Sequence, residues 1–153
     1  MPAGSGSRPV TEVAFHFNAP QPMDYLCRLL RKATAGGSRV GVIAPQPELD
    51  ELDQRLWAFS ATDFLAHCRA DSDPDVLEAS PVVLADRTDS VPHADVLVNR
   101  CPVVPTGFER FARVIEVVGQ SEAERQQARQ RWRHYADRGY AIQRHDLTPK
   151  PDR

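Results

Sequence analysis

The chain has 153 residues, 41% of them hydrophobic and 26% charged. That balance suits one domain able to bury roughly 70% of its unfolded surface without disulfide staples. Lys and Arg number 19 against 21 Asp and Glu, for a net charge of -2, which excludes a uniformly basic nucleic-acid coat protein. No apolar run approaches the roughly 20 residues that span a bilayer, and no charged start followed by an apolar stretch marks a secretory signal.

Residues 1–9, MPAGSGSRP, read as a disordered leader to a single domain over residues 10–147. Val13, Phe15 and Phe17 alternate with other residues and predict a first strand over 11–17. A turn over 18–22 leads into a helix over 23–34, where Met23, Leu26, Leu29, Leu30 and Ala33 recur at helical spacing. Gly36-Gly37 stops it. Residues 39–44 form a short apolar run, expected as a buried strand. After the 45–47 turn, Leu49, Leu52 and Leu56 mark a second helix, with Glu48, Asp50 and Glu51 suited to its first turn and Trp57 near its end. A helical turn is expected over 60–67 around Phe64 and Leu65, and a polar, acidic surface loop over 69–80. Short strands follow at 82–84 and 95–98, a brief helix at 106–111 and a strand at 114–118. A long polar helix over 121–138 has Ser121 as its cap, Glu124 at capping-box spacing and Gly139 as its stop. Residues 140–147 are expected as an edge strand, and 148–153 as a loose tail. Strands alternating with helices predict an α/β fold: one three-layer domain with a mainly parallel central sheet covered by helices on both faces.

The chemistry-bearing residues are sparse. Cys27, Cys68 and Cys101 are odd in number and widely spaced, which argues against a zinc or redox motif and fits idle thiols in a reducing cytoplasm. The glycine pair follows a helix rather than a strand, so it cannot present amides to a phosphate at a helix start. The five histidines form no metal-ligand pair. Asp71, Asp73 and Asp75 lack the ligand spacing and turn glycine of a calcium loop. No cofactor or metal is expected, and nothing commits the chain to catalysis.

Charge is unevenly spread. Twelve acidic and three basic residues lie between Gln46 and Val96, whereas five arginines and one acid lie between Arg125 and Arg138. At 100° per residue, Arg125, Arg129 and Trp132 share a narrow stripe, with Arg133 at its edge. Ala128 and Tyr135 supply a thin side that can pack on a sheet. Such a ridge can pair with the acidic region, at about 0–1 kcal/mol per exposed pair. Alternatively it is a socket for anions and an apolar group. Guanidinium groups bind carboxylates through charge-assisted hydrogen bonds, which suits an acidic peptide with a free carboxylate end. Single-stranded nucleic acid is a further possibility, disfavoured by the net acidity.

Leu56-Trp57, then Phe64-Leu65-Ala66-His67, then Arg129-x-Arg131-Trp132-x-x-Tyr135 closing on Gly139-Tyr140, together resemble the chi subunit of bacterial DNA polymerase III over about residues 11–147. The resemblance implies a non-catalytic, cytoplasmic accessory subunit of the replisome. It would join the clamp loader through the psi subunit and hold the acidic, phenylalanine-ended C-terminal tail of the single-stranded-DNA-binding protein, touching DNA only indirectly. Carried over residue by residue, the tail-binding positions are Trp57, Arg125, Arg129, Trp132 and Arg133. Trp57 and Trp132 would form an apolar wall, Arg129 would take the terminal carboxylate, and Arg125 and Arg133 would face the tail's aspartates. Phe64 is the candidate for the psi interface. Position 132 departs from the tyrosine common in the family, and Ala66 stands where proline is expected. The competing readings are an α/β nucleotide-using enzyme and a direct single-strand binder.

Overall fold

The computed structural model describes residues 11–59 and 65–149. Among the described residues seven strands and four α-helices follow one another: β1 Glu12–Ala19, α1 Pro22–Ala35, β2 Val40–Ile43, α2 Gln46–Phe59, β3 His67–Arg69, α3 Pro74–Ala79, β4 Val82–Ala85, β5 Val96–Asn99, β6 Arg113–Gly119, α4 Glu122–Asp137 and β7 Ile142–Asp146. All strands are parallel, in the order β3-β4-β2-β5-β6-β1-β7. The α/β expectation therefore holds.

The central strands are valine-rich and buried along their whole length, as strands covered on both faces must be. Helices α1 and α2 cover one face, placing Leu26, Leu30, Leu49, Leu52 and Leu56 over Val40, Val42, Leu84 and Val98. On the other face Tyr135 of α4, Phe108 and Phe111 pack on Val13, Phe15, Val83, Leu97 and Val114, with Leu77 of α3 beside them. No described helix is long and apolar enough to cross a membrane.

Two sequence expectations need correcting. The 69–80 stretch is not one loop. Cys68 is buried and pairs with Val83, so β3 adds an edge strand. Pro74 then starts α3 at the position where a missing amide costs nothing, and Leu77 anchors that helix. The brief helix expected over 106–111 shrinks to a 3-10 turn over Phe108–Arg110, entered from Gly107 at φ +86. The turn expected around Phe64 lies largely outside the described residues, as do the leader and most of the tail, while His67 already belongs to β3.

The sheet order also sorts the charge. The acidic 46–96 segment builds the half made by α2, β3, α3 and β4, and the arginine-rich α4 and β7 lie at the opposite edge.

Candidate functional site

The groove starts from how α4 begins. The Ser121 hydroxyl accepts from the Glu124 amide at 3.2 Å, satisfying one of the helix's orphan donors. Glu124 does not reach back to the cap residue, as a capping box would. Its Oε1 accepts from the Gly119 amide at 2.7 Å and from Arg100 at 2.8 Å. Burial pushes this carboxyl up, but the Arg100 and Gly119 donors outweigh it and hold the group below the usual range. Arg100, itself buried, also takes Glu48 of α2 at 2.9 Å. One guanidinium thus pins the starts of two helices on opposite faces of the sheet.

Two turns further on, Arg131, with Tyr135 a turn beyond it, fixes how far α4 sits above the sheet. Arg131 Nε donates to Glu116 Oε1 at 2.8 Å, and the Tyr135 hydroxyl donates to Oε2 at 2.7 Å. Asn99 Nδ2 lies 3.1 Å from both oxygens. Glu116 is wholly buried on β6. Burial raises its carboxyl above the ordinary range, opposed by Arg131 and the hydroxyl and amide donors.

With α4 held there, a groove of about 420 Å³ opens between it and the last strands of the sheet. Its lining includes Phe15, Phe17, Asn18, Val118, Gly119, Arg125, Ala128, Arg129, Trp132 and Arg144. Phe15 supports Trp132 with ring centres 5.1 Å apart. Parallel pairing sets Phe15 opposite Arg144, and the Arg144 guanidinium lies 5.3 Å from the Phe17 ring centre and 5.9 Å from that of Trp132. One end is closed by Asn18, a non-glycine residue at φ +63 beside an irregularity in β1. Its amide donates to Asp146 at 3.0 Å, and its carbonyl oxygen accepts from Arg125 at 3.3 Å. The groove thus offers an aromatic floor between cations on two banks, a setting for an anionic group attached to an apolar one.

Of the residues singled out in the sequence, Arg125, Arg129 and Trp132 line the groove together. Arg133 is exposed on α4 and outside the lining. Trp57 is not there either. It belongs to α2, on the other face of the sheet, and its ring packs 4.9 Å from that of His67 on the far edge strand β3. Trp57 and Trp132 therefore do not meet in one wall, and the aromatic rings that line the groove with Trp132 are Phe15 and Phe17. Phe64 lies outside the described residues.

Pairing of the α4 arginines with the acidic segment is not seen among the described residues. Arg131 takes Glu116, and Arg129 makes only a long, exposed contact of 3.9 Å with Glu122 of its own helix. Phe15, Phe17, Asn18 and Arg144 line the groove without being among the candidate residues of the sequence. The available signal was the alternation of β1, which puts Phe15 and Phe17 on one face. Arg144 required the strand register. Among the described residues no group of three His, Cys, Asp or Glu side chains could hold a metal ion. Prolines at 20 and 22 remove two amides from the β1–α1 turn, where a phosphate would need them.

The sequence model of the family described as "DNA polymerase III chi subunit, HolC" matches residues 10–143. A protein of Pseudomonas aeruginosa named DNA polymerase III subunit chi is 36% identical over 122 residues, covering 79% of this chain and 83% of its own. Among solved structures, the C-terminal domain of the DEAD-box protein Dbp5 superposes with a TM-score of 0.59, covering 92% of both chains at 12% identity. At that identity the likeness concerns the fold alone.

Proposed function

Because the chain belongs to the DNA polymerase III chi subunit family, and so to DNA replication as an accessory subunit, we propose that its α4 groove holds the acidic, phenylalanine-ended C-terminal tail of the single-stranded-DNA-binding protein. The observation that carries this reading is the convergence of Arg125 and Arg129 with Trp132, Phe15 and Phe17 in one groove. The terminal phenylalanine ring enters over Trp132 and Phe17. Arg129 takes the terminal carboxylate and Arg125 the nearest aspartate. Arg133, outside the lining, serves only to attract the tail. Contact with single-stranded DNA is indirect, through the tail's owner, and the setting is the cytoplasm.

A second surface suits the clamp-loader side. Trp57 is 57% exposed and lies at the far edge of the sheet from the groove. A large exposed aromatic ring is a natural interface anchor, so Trp57 is assigned here to the psi interface, near Phe64 in the chain. Two partners at opposite edges could then be held at once, as a linker requires. A role as linker needs no active site in this chain, and polymerase chemistry belongs to the assembly.

The test is a titration with a labelled peptide carrying the acidic, phenylalanine-ended tail, alongside the same peptide lacking its last residue and the Arg129→Ala variant. Saturable binding that needs both the terminal phenylalanine and Arg129 supports the assignment. Absence of binding by the unaltered protein at low salt sinks it and turns attention to oligonucleotides.

A further inference from the structure

The side chains of Arg100 and Arg131 are buried, each against carboxylates that hold helices in place. Arg144 is different. It stands exposed on the edge strand β7, has no carboxylate within ion-pair distance among the described residues, and rests against the Phe17 and Trp132 rings. Stacking on aromatic faces orients a guanidinium while leaving its in-plane N–H groups available, which an ammonium cannot imitate. It lines the groove from the sheet side, whereas Arg125 and Arg129 line it from the helix side. The family match ends at residue 143, one position before it.

We infer that Arg144 is a specificity-determining residue of the groove, the cation of its second bank. It receives an acidic side chain of the bound peptide while the terminal carboxylate is held from α4. The inference rests on the tail-binding reading and adds a requirement: besides the terminal carboxylate and the aspartate held by Arg129 and Arg125 on the helix bank, the ligand carries a further upstream aspartate or glutamate for the sheet bank. An apolar peptide with a free carboxylate satisfies only Arg129. The same stacked guanidinium forms one flank of the slot for the terminal aromatic ring, so charge and shape are read by one residue.

The experiment is a double-mutant cycle between protein and peptide. The protein forms are the unaltered chain, Arg144→Ala, Arg144→Lys and Arg129→Ala. The peptides are the acidic, phenylalanine-ended tail and versions with each acidic residue changed in turn to its amide. Arg144→Ala is expected to weaken the acidic peptide about tenfold and to abolish the penalty for amidating one particular upstream acid. Arg144→Lys should restore part of the affinity, because charge returns without stacking. If Arg144→Ala binds every peptide within about twofold of the unaltered protein while Arg129→Ala loses binding, the inference fails and the tail-binding reading stands. If Arg144→Ala weakens all peptides equally, so that no coupling to an acid survives, the inference also fails, since Arg144 then only shapes the groove. Absence of binding by the unaltered protein overturns both.

Discussion

Arg131 Nε donates to Glu116 Oε1 at 2.8 Å, with both side chains withdrawn from water beneath the α4 wall of the groove. Removing one member of such a pair strands a charge in the interior and costs about 3–5 kcal/mol, whereas replacing both with apolar groups of similar size is far cheaper. Arg131→Met and Glu116→Leu are therefore each expected to be strongly destabilising in urea denaturation, and the two combined less so than Arg131→Met alone. A double variant as unstable as the sum of its singles would show that the two residues act independently.

The contrast between Arg129 and Arg131 also marks the limit of the sequence. A helical wheel places each arginine on a face but does not say which face meets a carboxylate. Arg131 is buried because Glu116 lies beneath it on β6, and that depends on the sheet's register. The signal was nonetheless present. An acid in the middle of Val114-Ile115-Glu116-Val117-Val118, a run that reads as doubly buried, has to find a cation. Most of the strand and helix order, the Ser121 cap and the Arg125–Arg129–Trp132 stripe are legible because they depend on local periodicity, whereas β3 and α3 are too short to show one. Trp57 was placed with Trp132 by resemblance rather than by spacing, and the crossovers that separate α2 from α4 by the whole sheet leave no local trace. Arg144 was hidden for the same reason, since its partner Phe15 lies at the other end of the chain.

Asn18 occupies a left-handed backbone conformation that costs a β-branched residue about 1–3 kcal/mol. Glycine tolerates it, so Asn18→Gly is expected to fold with stability close to the unaltered chain but to lose the contacts to Arg125 and Asp146. Asn18→Val should lower the melting temperature clearly. The informative readout is tail affinity in Asn18→Gly. A drop of several-fold with little loss of stability identifies the side chain as the positioner of Arg125.

Acid stability should report on His16. Its ring nitrogen Nδ1 lies 2.5 Å from the Tyr25 hydroxyl, and its ring centre is 4.5 Å from that of His145. Burial, followed by the nearby charges of His145, Arg113 and Lys32, brings its pKa down to about 4. In the unfolded chain the group titrates near 6.5. The folded state therefore resists a proton that the unfolded state accepts. This contribution is fully present above about pH 6.5 and is lost as pH falls from there toward 4. Denaturation at a series of pH values should show that loss, and His16→Gln should flatten the profile over the same window. An NMR titration placing the His16 pKa near 6.5 would remove the basis for the effect.

The opposed charge of the two sheet edges gives the proposed tail binding a salt dependence. The acidic half around α2 and α3 repels an acidic tail while the α4–β7 edge attracts it, so the field should orient the approaching peptide. Raising the salt from physiological strength to 1 M shortens the screening length from about 8 Å to about 3 Å. Association should therefore slow with added salt more than dissociation quickens. On the tail-binding proposal Arg133, exposed and outside the groove lining, takes part only in this long-range attraction. Arg133→Ala is expected to reduce the association rate about twofold at low salt and to have no effect at 1 M, as for other exposed charges worth about 0–1 kcal/mol. Arg129→Ala should instead raise the dissociation rate at both salt concentrations, because its contact is made inside the groove. Stopped-flow binding of the labelled tail separates the two, and an Arg133 effect that persists at 1 M salt would place that residue in direct contact with the ligand.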